Sequence, residues 1–207
     1  MNLPWHFHLS GLSALLPLIF GVIFYKNLSK VLKFFWVYIV VSFSIDLTSF
    51  LLNLNQYKTA PILNIFTIVE YFFLIYVLSF WNNNKIIIAV LKSSVAVFII
   101  IFILLELFNL ENFNEIKMIS RTIGMVSLTA FSIITLFVIS DNVKIPLYKD
   151  PRFWITSGIL IYCAGNLLLF SIGTFIIDDI EIYFIHSILN TLANFCYAGG
   201  LFCRNNN

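Results

Sequence analysis

The chain has 207 residues, of which 60% are hydrophobic and 11% charged, with a formal net charge of +2. A soluble domain carries roughly 25% charged residues; this chain lacks the polar surface to face water, and its mean hydropathy of +0.96 points to lipid as its solvent. The small net charge and the lack of a basic run exclude nucleic-acid binding.

The chain opens on MNLPWHFH, which has no basic n-region, and the apolar stretch behind it has no small-residue cleavage site. That stretch is expected to be a retained helix rather than a signal peptide. Crossing a bilayer takes about 20 apolar residues. Seven stretches meet that length, at 8–25, 34–54, 60–80, 86–108, 118–140, 153–177 and 182–203. All connections are short, the longest running from about Asp141 to Arg152. The expected fold is therefore an all-α membrane protein, a single seven-transmembrane-helix bundle over residues 1–207 with no soluble domain. Cys163, Cys196 and Cys203 fall within these stretches at spacings that match no zinc or redox pattern. They are expected to be free thiols used for packing.

Basic residues in the connections set the orientation. Lys26, Lys30, Lys33, Lys85, Lys144, Lys149, Arg152 and Arg204 all fall on one side. The other side holds only Lys58 and Lys117, with Glu111, Glu115, Asp178, Asp179 and Glu181 beside them. The first side is expected in the cytoplasm, which puts the N-terminus outside and the C-terminus inside. Trp81, Trp154, Tyr25 and Tyr148 fall near the inner boundary and Trp5, Tyr57 and Tyr183 near the outer one, where amphipathic rings belong. Lys92 and Arg121 are expected to snorkel to the nearest interface. The abundance of Phe, Ile, Asn and Lys suggests an AT-rich bacterial genome, so the membrane expected is the inner, plasma membrane. Helices one to three and five to seven run in the same directions, which permits a parallel 3+1+3 repeat.

Polar residues at membrane depth are costly and need partners. Counted from the outer boundary, Asp46 and Asn190 lie about 12 Å deep, Glu70 and Asn166 about 15 Å, and Asn194 about 18 Å. Four helices thus bring strongly polar groups close to one plane. Ser42, Asp46 and Ser49 share a helical face, as do Asn64, Thr67, Glu70 and Tyr71, and as do His186, Asn190, Asn194 and Tyr197. Tyr162 stands one turn before Asn166. Asparagine and serine in such a layer can simply be interhelical glue, at about 0.6 kcal/mol each. Two carboxyls without a midplane cation are harder to explain so, and at least one is expected to keep its proton. The candidate ligand-binding or proton-carrying residues are Asp46, Glu70, Tyr71, Asn166, His186, Asn190 and Asn194, supported by Ser42, Ser49, Asn64, Thr67 and Tyr162. Helices two, three, six and seven are expected to form the walls, and helix four, which has no polar stripe, to face lipid.

In layout the chain resembles the seven-helix membrane regions at the N-termini of some bacterial sensor kinases, here standing alone. That resemblance implies a sensing or binding module for a small or lipid-like ligand, acting through a cytoplasmic signalling partner at the inner loops. The 3+1+3 arrangement with the N-terminus outside also resembles the SWEET sugar exporters in topology, which implies a small-solute transporter, proton-coupled through Glu70 or Asp46. Pro17 is the only deep transmembrane proline, whereas that family's kinking prolines recur in both halves. The third alternative is an intramembrane lipid hydrolase. The ceramidase and adiponectin-receptor type uses several histidines with an aspartate, and here only Asp46, Glu70 and His186 offer themselves, two or more ligands short. No metal or cofactor is expected. A retinal protein is excluded, because the last helix has no lysine to form a Schiff base. Enzymatic activity is the less expected outcome, and oligomeric state is not readable.

Overall fold

A computed structural model of the chain describes residues 5–142, 145–173 and 179–203, and every regular element among them is helical. The α-helices are α1 (Trp5–Phe24), α2 (Lys30–Leu54), α3 (Ala60–Trp81), α4 (Lys85–Leu107), α5 (Met118–Asn142), α6 (Pro151–Gly173) and α7 (Asp179–Phe202). Of these, six contain stretches long and apolar enough to cross a membrane, as in a multi-pass membrane protein. The described part of α7 is the exception, because His186, Asn190 and Asn194 dilute its apolar character. The helices match the expected stretches to within a few residues, and α6 is described only to Gly173. Lys144, Asp178 and Arg204, and the side chains of Trp5, Asp179, Glu181 and Tyr183, lie outside the described residues.

Local chemistry accounts for most helix ends. Ser29 and Asn84 accept hydrogen bonds from the backbone of Leu32 (3.3 Å) and Ile86 (2.8 Å), capping α2 and α4. Pro61 occupies the first turn of α3, where a missing N–H costs nothing. Asp150 caps α6 through Arg152 N (2.9 Å) and also pairs with the Arg152 guanidinium at 2.6 Å. At the end of α4, Asn109 turns left-handed (φ 54°), and Leu110 N reaches back to Leu105 O at 2.9 Å.

Neighbouring helices follow the order α1, α2, α3, α5, α6, α7 and back to α1, while α4 lies outside this ring against α3 and α5. Connected helices lie side by side because the connections are short. The bundle is solid at one end only. Phe35, Leu74, Leu78, Leu91, Ile155, Ile159 and Leu201 form a fully buried core. All belong to the half of the bundle where α3 and α7 end and α2, α4 and α6 begin. Aromatic packing closes this half: Tyr197 meets Phe35 edge-on (5.1 Å between ring centroids), and Phe34 stacks on Phe73 (4.7 Å).

Small residues permit the close helix approaches. A Cβ at Gly158 would lie 2.6 Å from Tyr197 Cε1, and one at Gly200 would lie 2.5 Å from Ile155 Cγ1. At Gly21 of α1 it would fall 1.7 Å from Trp36 Cδ1 of α2, whose indole N–H donates to Leu18 O at 3.2 Å. Gly21→Ala is therefore expected to destabilise the bundle by about 1–3 kcal/mol through overpacking. Gly11→Ala, where nothing lies within 4 Å, is expected to be neutral by comparison. Thermal unfolding of both variants in the same detergent checks this, and equal midpoints would contradict it.

Candidate functional site

The other half of the bundle, where α2, α4 and α6 end and α3, α5 and α7 begin, encloses two adjoining cavities of about 430 Å³ and 90 Å³. Asp46, Phe66, Glu70, Tyr162 and His186 line both, so the two form one polar-centred chamber. The larger lobe is walled by Phe98, Met125, Leu128 and Cys163 as well as by Tyr71 and Asn166. The smaller lobe reaches toward α1 and includes Ser42, Asn190, Asn194 and Tyr197.

Glu70 is held at the centre by Tyr38 of α2, whose hydroxyl donates to Glu70 Oε1 at 2.9 Å. Tyr38 itself is buried and lines the smaller lobe. Across the chamber, Asn166 donates through Nδ2 to Tyr162 O at 2.8 Å. A carbonyl can only accept, so this bond turns Asn166 Oδ1 toward His186, 2.6 Å from Nδ1. His186 Nδ1 is thus the donor, and Nε2 is the ring atom left to take up or release a proton. Asp46 makes no hydrogen bond among the described residues and stands exposed where the two lobes join.

Arg121, at the start of α5, also lines the larger lobe, so the lumen holds a basic side chain, though not at the depth of Glu70. Nη2 donates to Leu63 O at 3.3 Å, and the buried Nε has no acceptor among the described residues. Arg121 shares that lobe with Glu70, Tyr162 and His186.

The remaining candidates separate into lining and scaffold. Thr67 lines the larger lobe and donates to Leu63 O at 2.9 Å, within its own helix. Tyr71 stacks on Phe98 (4.3 Å, 24°) and bonds Ser94 of α4 at 3.1 Å. α4 lies outside the ring and is largely exposed, yet it supplies Phe98 to the chamber wall and Ser94 as a partner for Tyr71. Asn190 and Asn194 line the smaller lobe, yet each donates to a serine of α1, Ser10 at 2.8 Å and Ser13 at 3.0 Å. They fasten α7 to α1, the role of glue. Ser49 lines neither lobe, and its hydroxyl is buried without a partner.

Asn64 is also outside the chamber. It is fully buried and receives the connection between α4 and α5: Nδ2 donates to Phe113 O (2.9 Å) and Glu115 O (2.7 Å), and Oδ1 accepts from Lys117 N (3.2 Å). Lys117, expected to be a loop charge, is 1% exposed and paired with Glu106 at 2.6 Å, its ammonium 4.0 Å from the Phe102 ring centroid. Glu111 accepts from Ile119 N (2.6 Å) and Ser120 N (3.1 Å) at the start of α5, and from the Ser120 hydroxyl. The connection is thus pinned at several points, and Ile116 within it lines the chamber.

Tyr38, Arg121, Ser10, Ser13 and Ser94 went unread in the sequence as parts of this layer. Tyr38 could have been found, since it continues the Ser42–Asp46 stripe one turn back. Arg121 shares a face with Gly124, Met125 and Leu128, the α5 residues that line the chamber. Among the described residues no group of three His, Cys, Asp or Glu side chains could hold a metal ion, so Asp46, Glu70 and His186 share a lumen without converging on one point. The three cysteines are free, and Cys163 is buried at the chamber wall. No protein family, curated protein or solved structure matches this chain.

Asn64→Ala is expected to cost about 1–3 kcal/mol, the penalty for leaving buried backbone groups unpaired. It is also expected to raise amide hydrogen exchange in residues 108–117 while leaving α6 and α7 protected. Exchange that stays unchanged in this connection would show that Asn64 does not hold it.

Proposed function

We propose that the chain is a multi-pass protein of the plasma membrane, its N-terminus outside and C-terminus in the cytoplasm, whose chamber binds a small ligand and reports it to a cytoplasmic partner. The observation that carries this reading is the chamber itself. Its larger lobe, at about 430 Å³, has the size of a small-molecule pocket. Its walls are mainly apolar and aromatic, with a few convergent polar groups, the composition that gives affinity and orientation together. The basic residues of the connections support placing the chamber in the outer half of the membrane. Below it, Leu74, Leu78, Ile155 and Ile159 are fully buried in one packed core. A chamber backed by a packed core suits binding and sensing more directly than conduction. The inner connections, with exposed Tyr148 and half-exposed Arg152, are where the partner would be met.

A transporter would need that core to open, and one pair of measurements separates the two readings. Met125 lines the chamber from α5, and Met125→Trp would push a bulky ring into it without adding a charge. In lipid nanodiscs, native mass spectrometry is expected to find a retained non-lipid molecule on the wild type and not on Met125→Trp. Proteoliposomes are expected to show no net flux of that molecule. Proton-driven accumulation would replace the sensor with a transporter, and equal retention by both proteins would remove the chamber from consideration.

A further inference from the structure

The larger lobe is lined by one basic and two acidic side chains at different depths, and that pairing defines a class of ligand. Arg121 sits at the level of Leu63, to whose carbonyl it bonds. Glu70 lies seven residues further along the same helix, about 10 Å deeper at 1.5 Å per residue. Asp46 lines the same lobe from the neighbouring helix α2.

We propose that the chamber selects an amino-acid-like zwitterion with an apolar body, its carboxylate on Arg121 and its ammonium on Asp46 and Glu70. The proposal rests on the binding reading above and adds the ligand's chemical class. Arg121 lines the lobe with one hydrogen bond among the described residues, a long one to the Leu63 carbonyl, so its guanidinium has N–H donors left to offer. Asp46 makes no hydrogen bond among the described residues and faces the lumen where the lobes meet. A zwitterion answers both without changing the charge of the lumen. A bare amine leaves Arg121 without an anion, and a bare acid leaves the carboxyl pole without a cation; either is costly in an apolar surround. Phe66, Phe98, Met125 and Leu128 supply the wall for the apolar body.

Three probes with one phenyl body test this: phenylalanine, phenethylamine, which lacks the carboxylate, and 3-phenylpropanoate, which lacks the amine. Calorimetric titration of the full chain in nanodiscs is expected to show phenylalanine binding at least about tenfold tighter than either truncated probe. Arg121→Gln is expected to bring phenylalanine down to the level of phenethylamine, and Asp46→Asn to that of 3-phenylpropanoate. Arg121→Lys, which keeps the charge, is expected to recover part of the loss and guards against a folding defect. Phenethylamine binding as well as phenylalanine, or full phenylalanine affinity in Arg121→Gln, would overturn the proposal. If phenylalanine does not bind at millimolar concentration while Met125→Trp still expels a native occupant, the zwitterion is wrong and the binding reading stands. If no occupant exists and no probe binds, both fall.

Discussion

A carboxyl group in the middle of an apolar bundle is the constraint around which this structure is arranged. An acidic side chain at the centre of a lipid-embedded helix costs about 2.5–3.5 kcal/mol even on permissive scales, so Glu70 must be held inside and partnered. The Tyr38 hydroxyl does this from α2, closing the seam between α2 and α3 at the depth where the packing changes character. On one side of that level the helices meet through Phe35, Leu74, Leu78 and Ile159 and leave no space. On the other they part around Asp46, Glu70, Tyr162 and His186, because polar groups that need room and partners cannot interdigitate as aliphatic side chains do.

The division into a solid half and a hollow half distributes the work of the sequence. Glycines concentrate where helices approach closely, with Gly158 and Gly200 accommodating Tyr197 and Ile155 across the α6–α7 seam. In the hollow half, hydrogen bonds replace apolar contact as the link between helices. Asn190 and Asn194 reach Ser10 and Ser13 of α1, Asn166 orients His186, and Tyr71 reaches Ser94. The same residue types therefore serve two ends: some hold the walls together, and others are presented to the lumen. On the proposed reading, the second group meets the ligand, and the first keeps the lumen at a fixed size.

The connection between α4 and α5 belongs to this arrangement as much as the helices do. It is pinned to α3 through Asn64, to α4 through the Lys117–Glu106 pair and to α5 through Glu111. These bonds hold Ile116 at the chamber wall and place the start of α5, and with it Arg121, over the carboxyls. The same connection leads into α5, whose Arg121 lines the lumen with the two carboxyls.

Much of the architecture was legible from residues alone. Runs of apolar residues of membrane-spanning length marked every helix, and the short connections forced sequential helices to be neighbours. Counting residues along each helix put Asp46, Glu70, Asn166, Asn190 and Asn194 near one depth, with His186 shallower; Asp46, Glu70, Asn166 and His186 line the larger lobe together with Tyr162. What counting could not supply was azimuth: which way each stripe points once seven helices have settled against one another. Asn64 and Glu70 lie on one face of α3, yet Asn64 receives a loop backbone and Glu70 lines the chamber. Arg121 and Lys117, four residues apart, face the lumen and an aromatic pocket respectively. The sequence by itself determined helix length, apolar faces and the level of the polar layer, all consequences of local periodicity. The tertiary structure decided which polar groups pair with one another, that α4 and α5 contribute to the chamber, and that a cation stands opposite the carboxyls, because pairing depends on contacts between residues far apart in the chain.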